Sequence, residues 1–66
     1  MNTRLREFRK KKRMSQQELA SVSGVSRKTI SDLENNIERV YKTDTLEKLS
    51  SALSIGVKTL FFGKNV

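Results

Sequence analysis

The chain has neither cysteine nor histidine among its 66 residues, and this double absence constrains its fold more than any other feature. Without cysteine no disulfide can reinforce a small core, and without Cys or His ligands the common structural zinc sites are excluded. A chain of this length buries only about 60% of its unfolded surface on folding. Apolar packing between regular elements must therefore stabilise the fold, and we expect residues 1–66 to form a single domain.

Hydrophobic spacing predicts an all-α domain of five helices. Glycine occurs three times and proline not at all, and this composition argues against a turn-rich β domain. Alternating runs of β-branched residues are missing, whereas apolar residues recur at helical spacing. Ser15 and Glu18 have the spacing of a capping box. The expected starts are Asn2 or Thr3, Ser15, Ser26, Thr43 or Asp44, and Gly56, and the expected ends lie near Lys12 or Arg13, Val22, Asn35 and Ser54.

The segment of residues 16–35 has the pattern of a helix-turn-helix. Gly24 can bend the chain between the two helices, because glycine reaches positive φ without steric cost. Ala20 is small where the helices must cross closely, and Ile30 can pack down against it. A tight turn of about four residues between two short helices is the geometry of this motif.

The second helix of the unit presents polar side chains outward. With about 100° between successive residues, Ile30 and Leu33 face the core. Arginine, lysine, serine and aspartate can each hydrogen-bond base edges in the major groove of DNA. An exposed helix face is polar in most proteins, so this face indicates DNA binding only together with the helix-turn-helix spacing. The outward residues are Arg27, Lys28, Ser31, Asp32 and Asn35.

The charge of the chain favours a polyanionic partner. Fourteen basic and seven acidic residues give a formal net charge of +7. Residues 1–13 hold seven bases and one acid, so they carry +6 of that charge. A field of this sign attracts nucleic acid, although a solvated helix face would explain many of these basic side chains equally well.

A family resemblance rests on a series of short segments spread along the chain. They read LREFR, MSQQELA, GVS, TISDLEN, TLEKL, ALSI and LF, at residues 5–9, 14–20, 24–26, 29–35, 45–49, 52–55 and 60–61. In this order they resemble the Cro/phage-repressor class of helix-turn-helix domains, which includes bacterial regulators of the xenobiotic-response-element type. The resemblance implies a compact five-helix, lambda-repressor-like DNA-binding domain whose third helix enters the major groove.

The resemblance also implies how the third helix would contact bases. Arg27, Lys28 and Asp32 fall where this family contacts base edges, and Ser26 and Ser31 lie beside them. Asp32 is less usual on a surface that faces DNA. It could accept a hydrogen bond from cytosine N4, or it could set specificity by repelling wrong sites.

Other positions correspond to phosphate contacts of the family. Gln16 falls at the N-terminus of the second helix, where free N–H groups and the helix dipole favour an anion. Arg9 and Glu34 occupy the positions of a family ion pair, which would tie the first helix to the third and aim Arg9 at a phosphate. A purely structural pair is the alternative. The expected phosphate contacts are Arg9, Gln16, Asn35, Arg39, Tyr41 and Lys42, although the last three could be ordinary solvated loop residues.

The sequence departs from the family pattern in three places. Arg13 stands where many members have glycine at the end of the first helix, and Asn36 stands where glycine follows the recognition helix. Proline is usual in the next loop and is absent here. If positive φ is kept at Arg13 and Asn36, each residue costs about 1 kcal/mol.

The C-terminal aromatic pair predicts a dimer contact. Phe61 and Phe62 are adjacent on a helix and cannot point the same way, so one of them should be exposed. An apolar patch of this kind suggests a two-fold interface, and a loosely covered C-terminus is the alternative. The expected interface residues are Ile55, Val57, Phe61 and Phe62.

These features favour a sequence-specific transcriptional regulator that binds duplex DNA as a homodimer on an inverted-repeat operator, with repression as the expected effect. The alternative is an antitoxin or another protein-interaction module of the same fold. An enzyme is not expected, because scattered carboxylates without His or Cys make no credible active site. We expect no cofactor, metal, membrane or small-molecule ligand. A cytoplasmic location is expected, because the basic N-terminal segment precedes no apolar stretch.

Overall fold

A computed structural model describes residues 3–62, and these residues form five α-helices and no strand. The prediction of an all-α domain with a helix-turn-helix is thereby confirmed. Within the described residues, no helix is long and apolar enough to cross a bilayer. The helices are α1 (Leu5–Lys11), α2 (Gln16–Ser23), α3 (Arg27–Glu34), α4 (Thr43–Leu53) and α5 (Val57–Phe62).

One apolar cluster holds all five helices together. Each helix contributes at least one buried side chain, and Val25 closes the cluster over the turn between α2 and α3. Ile30 and Leu33 face inward from α3, as the spacing predicts. The cluster comprises Leu5, Leu19, Val25, Ile30, Leu33, Leu46, Leu49, Leu53, Leu60 and Phe61.

Local sequence fixes the two ends of α2. The Ser15 hydroxyl accepts from the Glu18 N–H at 3.0 Å, and the Glu18 carboxylate accepts from the Ser15 N–H at 2.8 Å. This is the capping box that the spacing predicts. At the other end Gly24 adopts φ 79°, and its N–H donates to the Ala20 carbonyl at 2.9 Å. The left-handed glycine turns the chain toward α3.

The start of α1 differs from the expected one. Arg4 is the N-cap and makes no side-chain capping hydrogen bond. The Thr3 hydroxyl, one residue earlier, accepts from the Leu5 N–H at 3.4 Å, and Asn2 lies outside the described residues. The Thr3 hydroxyl donates to the Leu33 carbonyl at 3.0 Å, and the Arg4 N–H donates to the Leu60 carbonyl at 2.9 Å. Hydrogen bonds to α3 and α5 therefore set where α1 begins.

The start of α4 is also one residue earlier than predicted. Lys42 is the N-cap in an extended conformation, and its carbonyl accepts from the N–H groups of Thr45 and Leu46 at 3.0 and 3.2 Å. Thr43 and Asp44 are already helical. Neither can serve as N-cap, because that position requires a non-helical backbone.

The two departures from family glycines keep the left-handed conformation. Arg13 has φ 58° and Asn36 has φ 54°. Each follows a helix end in a Schellman arrangement, in which the Arg13 N–H donates to the Lys10 carbonyl at 2.9 Å and the Asn36 N–H to the Leu33 carbonyl at 3.1 Å. The Asn36 side chain also accepts from the Thr3 N–H at 3.0 Å, so this asparagine makes a hydrogen bond that glycine could not make.

We predict that Arg13→Gly raises the free energy of unfolding by about 1 kcal/mol, because glycine removes the left-handed strain. For a domain of this size the midpoint of thermal unfolding should rise by about 5 °C. Lys12→Gly is the matched control, since Lys12 has φ −88° and gains nothing from glycine. Equal effects of the two substitutions in circular dichroism melts would contradict the strain argument.

Candidate nucleic-acid interface

The outward face of α3 combines a capped helix start with exposed polar side chains. The Ser26 hydroxyl accepts from the Thr29 N–H at 3.2 Å and so caps the helix. Ser26, Arg27 and Lys28 are exposed, and Ser31 is half-buried on the same side. The first turn of α3 is therefore capped by a side chain and exposes its polar side chains.

A buried carboxylate at the end of α3 joins three helices. The Glu34 side chain is fully buried, and Arg9 of α1 donates to it through Nε and Nη2 at 2.6 and 3.0 Å. The Gln16 amide of α2 donates to Oε1 at 3.1 Å. Arg6 of α1 donates to the same oxygen at 3.3 Å. We call these four residues the Glu34 cluster.

The Glu34 cluster keeps its carboxylate ionised despite burial. Removal from water alone would raise the pKa of Glu34, but hydrogen bonds from Arg9, Gln16 and Arg6 outweigh burial and hold the pKa below its ordinary value. The hydrogen bond to Glu34 likewise raises the pKa of Arg9. The charges of this cluster therefore persist at neutral pH.

Arg9 is placed differently from the phosphate contact that the resemblance implies. Its side chain is 10% exposed, and Nη1 donates to the Met14 carbonyl at 2.6 Å while the other donors face Glu34. A guanidinium enclosed in this way has little reach toward a phosphate, so the geometry favours the structural alternative for Arg9.

Arg6 is a residue that sequence reasoning counted only as charge. Its side chain is about half exposed, and it bridges Glu34 and the Asn35 side chain, the latter at 3.4 Å. Arg6 lies one helical turn before Arg9, so it shares that residue's face of α1. The spacing of three residues between Arg6 and Arg9 could have predicted a second arginine beside Glu34.

Gln16 links the Glu34 cluster to Arg27, the first residue of α3. Its amide nitrogen donates to Glu34, and its Oε1 accepts from Nε of Arg27 at 3.5 Å. The first residues of α2 and α3 therefore lie side by side. The capped N-terminus of α2 therefore lies near Arg27.

The loop after α3 folds back onto that helix. Arg39 donates to Asp32 at 3.3 Å, and its guanidinium carbon lies 4.3 Å from the centre of the Tyr41 ring. The Tyr41 hydroxyl donates to the Ile37 carbonyl at 2.8 Å. Lys42 is exposed beside them. The loop thus places Arg39 against α3, with the Tyr41 ring against its guanidinium and Lys42 exposed next in the chain.

Comparison with known proteins assigns the family. The sequence model of helix-turn-helix proteins matches residues 5–60. The chain belongs to the Cro/C1-type helix-turn-helix family. The family expected from the segment pattern is therefore confirmed.

Two relatives within this family are transcriptional regulators. The HTH-type transcriptional regulators SinR of Bacillus subtilis (strain 168) and of Bacillus licheniformis are each 36% identical to this chain over 62 residues. The matched region covers 94% of this chain and 56% of each relative, so the chain spans little more than half of their length.

A solved structure from the same relative has the same fold. The N-terminal DNA binding domain of SinR from Bacillus subtilis matches with a TM-score of 0.78 and 36% identity. The match covers 85% of this chain and 81% of that domain. The structural match therefore supports the same family as the sequence match.

The expected dimer patch divides into a buried and an exposed part. Phe61 is 2% exposed and belongs to the core, whereas Phe62 is 59% exposed. Ile55 and Val57 are half-buried against the core. Phe61 therefore cannot contribute to an interface, because its ring is already enclosed. The prediction that only one of the two rings is buried agrees with this placement.

The lowered pKa of Glu34 predicts an acid-sensitive fold. The ion pair stabilises the domain fully above the unfolded-state pKa of about 4.3, and this stabilisation is lost as the pH falls toward the lower folded-state pKa. The double variant Arg9→Met/Glu34→Leu removes the pair and fills its space with apolar atoms, which is often near neutral in stability. We predict that its free energy of unfolding falls less than that of the wild type between pH 7 and pH 3.

Urea denaturation at each pH measures this difference. Glu7→Gln is the control, because Glu7 forms an exposed ion pair with Arg4 and should change the pH profile much less. Arg9→Met alone leaves the carboxylate buried without its main partner and should lose roughly 3 kcal/mol at pH 7. Parallel pH profiles for the wild type and the double variant would disprove the role of Glu34.

Proposed function

We propose that this chain is a sequence-specific transcriptional regulator that binds double-stranded DNA as a homodimer on an inverted-repeat operator. One observation carries the proposal: the exposed face of α3 lies beside the N-terminus of α2, and Glu34 fixes the two helices relative to each other. The family assignment and the DNA binding domain of SinR support DNA as the partner. Repression follows if operator occupancy blocks transcription, and a cytoplasmic location stays a prediction.

Base reading is assigned to the first two turns of α3. Arg27 and Lys28 are exposed there and can donate to the O6 and N7 acceptors of guanine. Ser26 and Ser31 flank them and can donate or accept. Arg27 is the strongest candidate, because it is exposed in the first turn of α3 and its guanidinium can donate to both guanine acceptors at once.

Phosphate binding is assigned to the residues around this face. Gln16 is the first residue of α2, and Asn35 is exposed at the end of α3. Arg6 takes the place that the resemblance gives to Arg9, since Arg6 is half exposed and remains in the Glu34 cluster. The loop adds Arg39, Tyr41 and Lys42.

Selection from a random duplex pool tests the proposal. The chain is expected to enrich two inverted half-sites, with centres one helical turn apart. The winning duplex should bind at least about 10³-fold more tightly than a scrambled duplex at the same salt concentration. A steep salt dependence without any enriched sequence would mean that the net charge alone binds DNA, and the proposal would fail.

Arg27 and Gln16 should respond differently to substitution. Arg27→Ala removes a base contact and should weaken the selected duplex by about 1–3 kcal/mol while changing scrambled DNA much less. Gln16→Ala removes a contact with a DNA phosphate and should weaken binding to both duplexes about equally. Fluorescence anisotropy titrations measure both affinities, and Lys48→Ala on α4 is the control. If Arg27→Ala weakens both duplexes equally, Arg27 does not read bases.

The dimer contact is assigned to the exposed end of α5. Phe62 is the large exposed ring there, with Ile55 and Val57 beside the same end of the core. Phe62→Ser removes apolar surface without disturbing the core, so it should weaken self-association while leaving the thermal melt of the monomer, measured at low protein concentration, nearly unchanged. Sedimentation equilibrium measures the monomer–dimer constant, with Val22→Ser, on α2, as the matched exposed control. Unchanged self-association in Phe62→Ser would exclude this surface.

A protein-interaction role, such as that of an antitoxin, is a second candidate. Val22 and Val40 are 61% and 91% exposed, and neither belongs to the assigned dimer surface. Such residues could contact a protein partner. A chain that enriches no DNA sequence in the selection would support this candidate.

A further inference from the structure

Asp32 is the one carboxylate on the proposed DNA-facing side of α3, and its surroundings are cationic. The side chain is only 18% exposed. Arg39 Nε lies 3.3 Å and Lys28 Nζ lies 3.6 Å from the same oxygen, Oδ2. Two cations around one carboxylate leave a local charge of +1, so the group as a whole still attracts DNA.

Arg39 is held at several points along its side chain. Besides Asp32, it donates to the Thr29 hydroxyl at 3.4 Å and to the Val40 carbonyl at 3.5 Å. One face of the guanidinium covers the Tyr41 ring. The side chain nevertheless remains 42% exposed. Arg39 is therefore oriented by its neighbours and still accessible to a ligand.

The path of the chain makes Asp32 the main anchor of this arrangement. Arg39 belongs to the loop between α3 and α4, whereas Asp32 and Thr29 belong to α3. Only the contacts to these two residues fix the guanidinium to the recognition helix. Asp32 supplies the charged partner, and a charge-assisted hydrogen bond is about twice as strong as a neutral one.

We propose that Asp32 is a positioning residue, which holds Arg39 against α3 so that this arginine meets the DNA backbone in a preset orientation. This inference rests on the proposed function. A long arginine side chain loses much rotamer freedom when it binds a phosphate, and an arginine that is already ordered loses less. The carboxylate therefore favours DNA binding through Arg39, although by itself it would repel the phosphates.

The inference gives Asp32 a different role from base reading. A carboxylate that accepts from cytosine N4 must present a free oxygen to the groove. In this structure Arg39 and Lys28 both contact Oδ2, and the side chain is 18% exposed, so a base would have to be read through Oδ1. Base reading and positioning differ in a measurable way, since only the positioning role depends on Arg39.

A double-mutant cycle of Asp32→Asn and Arg39→Gln tests the proposal through the sign of an effect. Removal of an acidic group near DNA ordinarily strengthens binding. If Asp32 positions Arg39, Asp32→Asn instead weakens binding to the selected duplex by about threefold, a size typical of exposed ion pairs. In the Arg39→Gln background the same substitution should strengthen binding by about twofold, because it removes repulsion of the phosphates and releases Lys28 from the carboxylate.

Asp44→Asn is the matched control for charge. Asp44 forms an exposed ion pair with Lys48 on α4, so its removal changes the net charge equally and should not couple to Arg39. Thermal melts of every variant show whether the fold is kept. Arg39→Gln should also lower the salt dependence of binding by about one phosphate contact.

Two results of the cycle would overturn the proposal. One is that Asp32→Asn strengthens binding in both backgrounds, which would make Asp32 a repulsive residue only. The other comes from repeating the selection with Asp32→Asn. If the preferred base changes at one position, and changes in the same way in the Arg39→Gln background, Asp32 reads that base. A cycle with the predicted change of sign supports positioning.

A measurement on the free chain separates this inference from the proposed function. In nuclear magnetic resonance spectra, the Arg39 Nε–Hε signal should exchange faster with water in Asp32→Asn than in the wild type or in Asp44→Asn. An unchanged signal would overturn the proposal whatever DNA the chain binds. If the wild type shows no preferred DNA sequence but the signal changes as expected, the proposed function fails and the anchoring of Arg39 stands.

Discussion

The buried carboxylate of Glu34 is the interaction on which the arrangement of the first three helices depends. It lies on α3, and it accepts hydrogen bonds from Arg6 and Arg9 of α1 and from Gln16 of α2. A buried charge without partners would be strongly destabilising, so the three helices must keep the orientation that satisfies it. The apolar core resists separation of the helices, but hydrogen bonds to a single carboxylate also specify their angles and register. The surface that α2 and α3 present together is a consequence of that specification.

α3 would not remain helical in isolation. α3 has eight residues, and isolated helices shorter than about 12 residues are marginal in water. Its start is capped by Ser26, its inner face is buried through Ile30 and Leu33, and its end is fixed by Glu34 and by the left-handed turn at Asn36. The outward side chains are therefore not needed to hold the helix in place. The left-handed conformations of Arg13 and Asn36 are tolerated for a related reason, because each residue ends a helix at the point where the chain must turn.

Sequence reasoning succeeds here where the cause is local and fails where it depends on the path of a loop. The capping box at Ser15 and the left-handed Gly24 follow from spacing and steric rules, and the inward face of α3 follows from helical periodicity. The predicted N-caps of α1 and α4 differ from the observed ones, Arg4 and Lys42. Hydrogen bonds to α3 and α5 determine where α1 begins, and the extended backbone of Lys42 determines where α4 begins. For the candidate site, the pairing of Arg9 with Glu34 could be expected from the family positions. The burial of Arg9, the place of Arg6 and the return of Arg39 to Asp32 required the folded loop and the packed helices.

The central claim is that the outward face of α3, positioned by Glu34, enters the major groove. Intermolecular nuclear Overhauser effects between the labelled chain and its selected duplex test this claim most directly. The account predicts contacts from the Arg27 and Lys28 side chains to base protons of the major groove, together with perturbed amide signals at the N-terminus of α2. Contacts that map to α4 or α5, with the α3 signals unchanged, would contradict it.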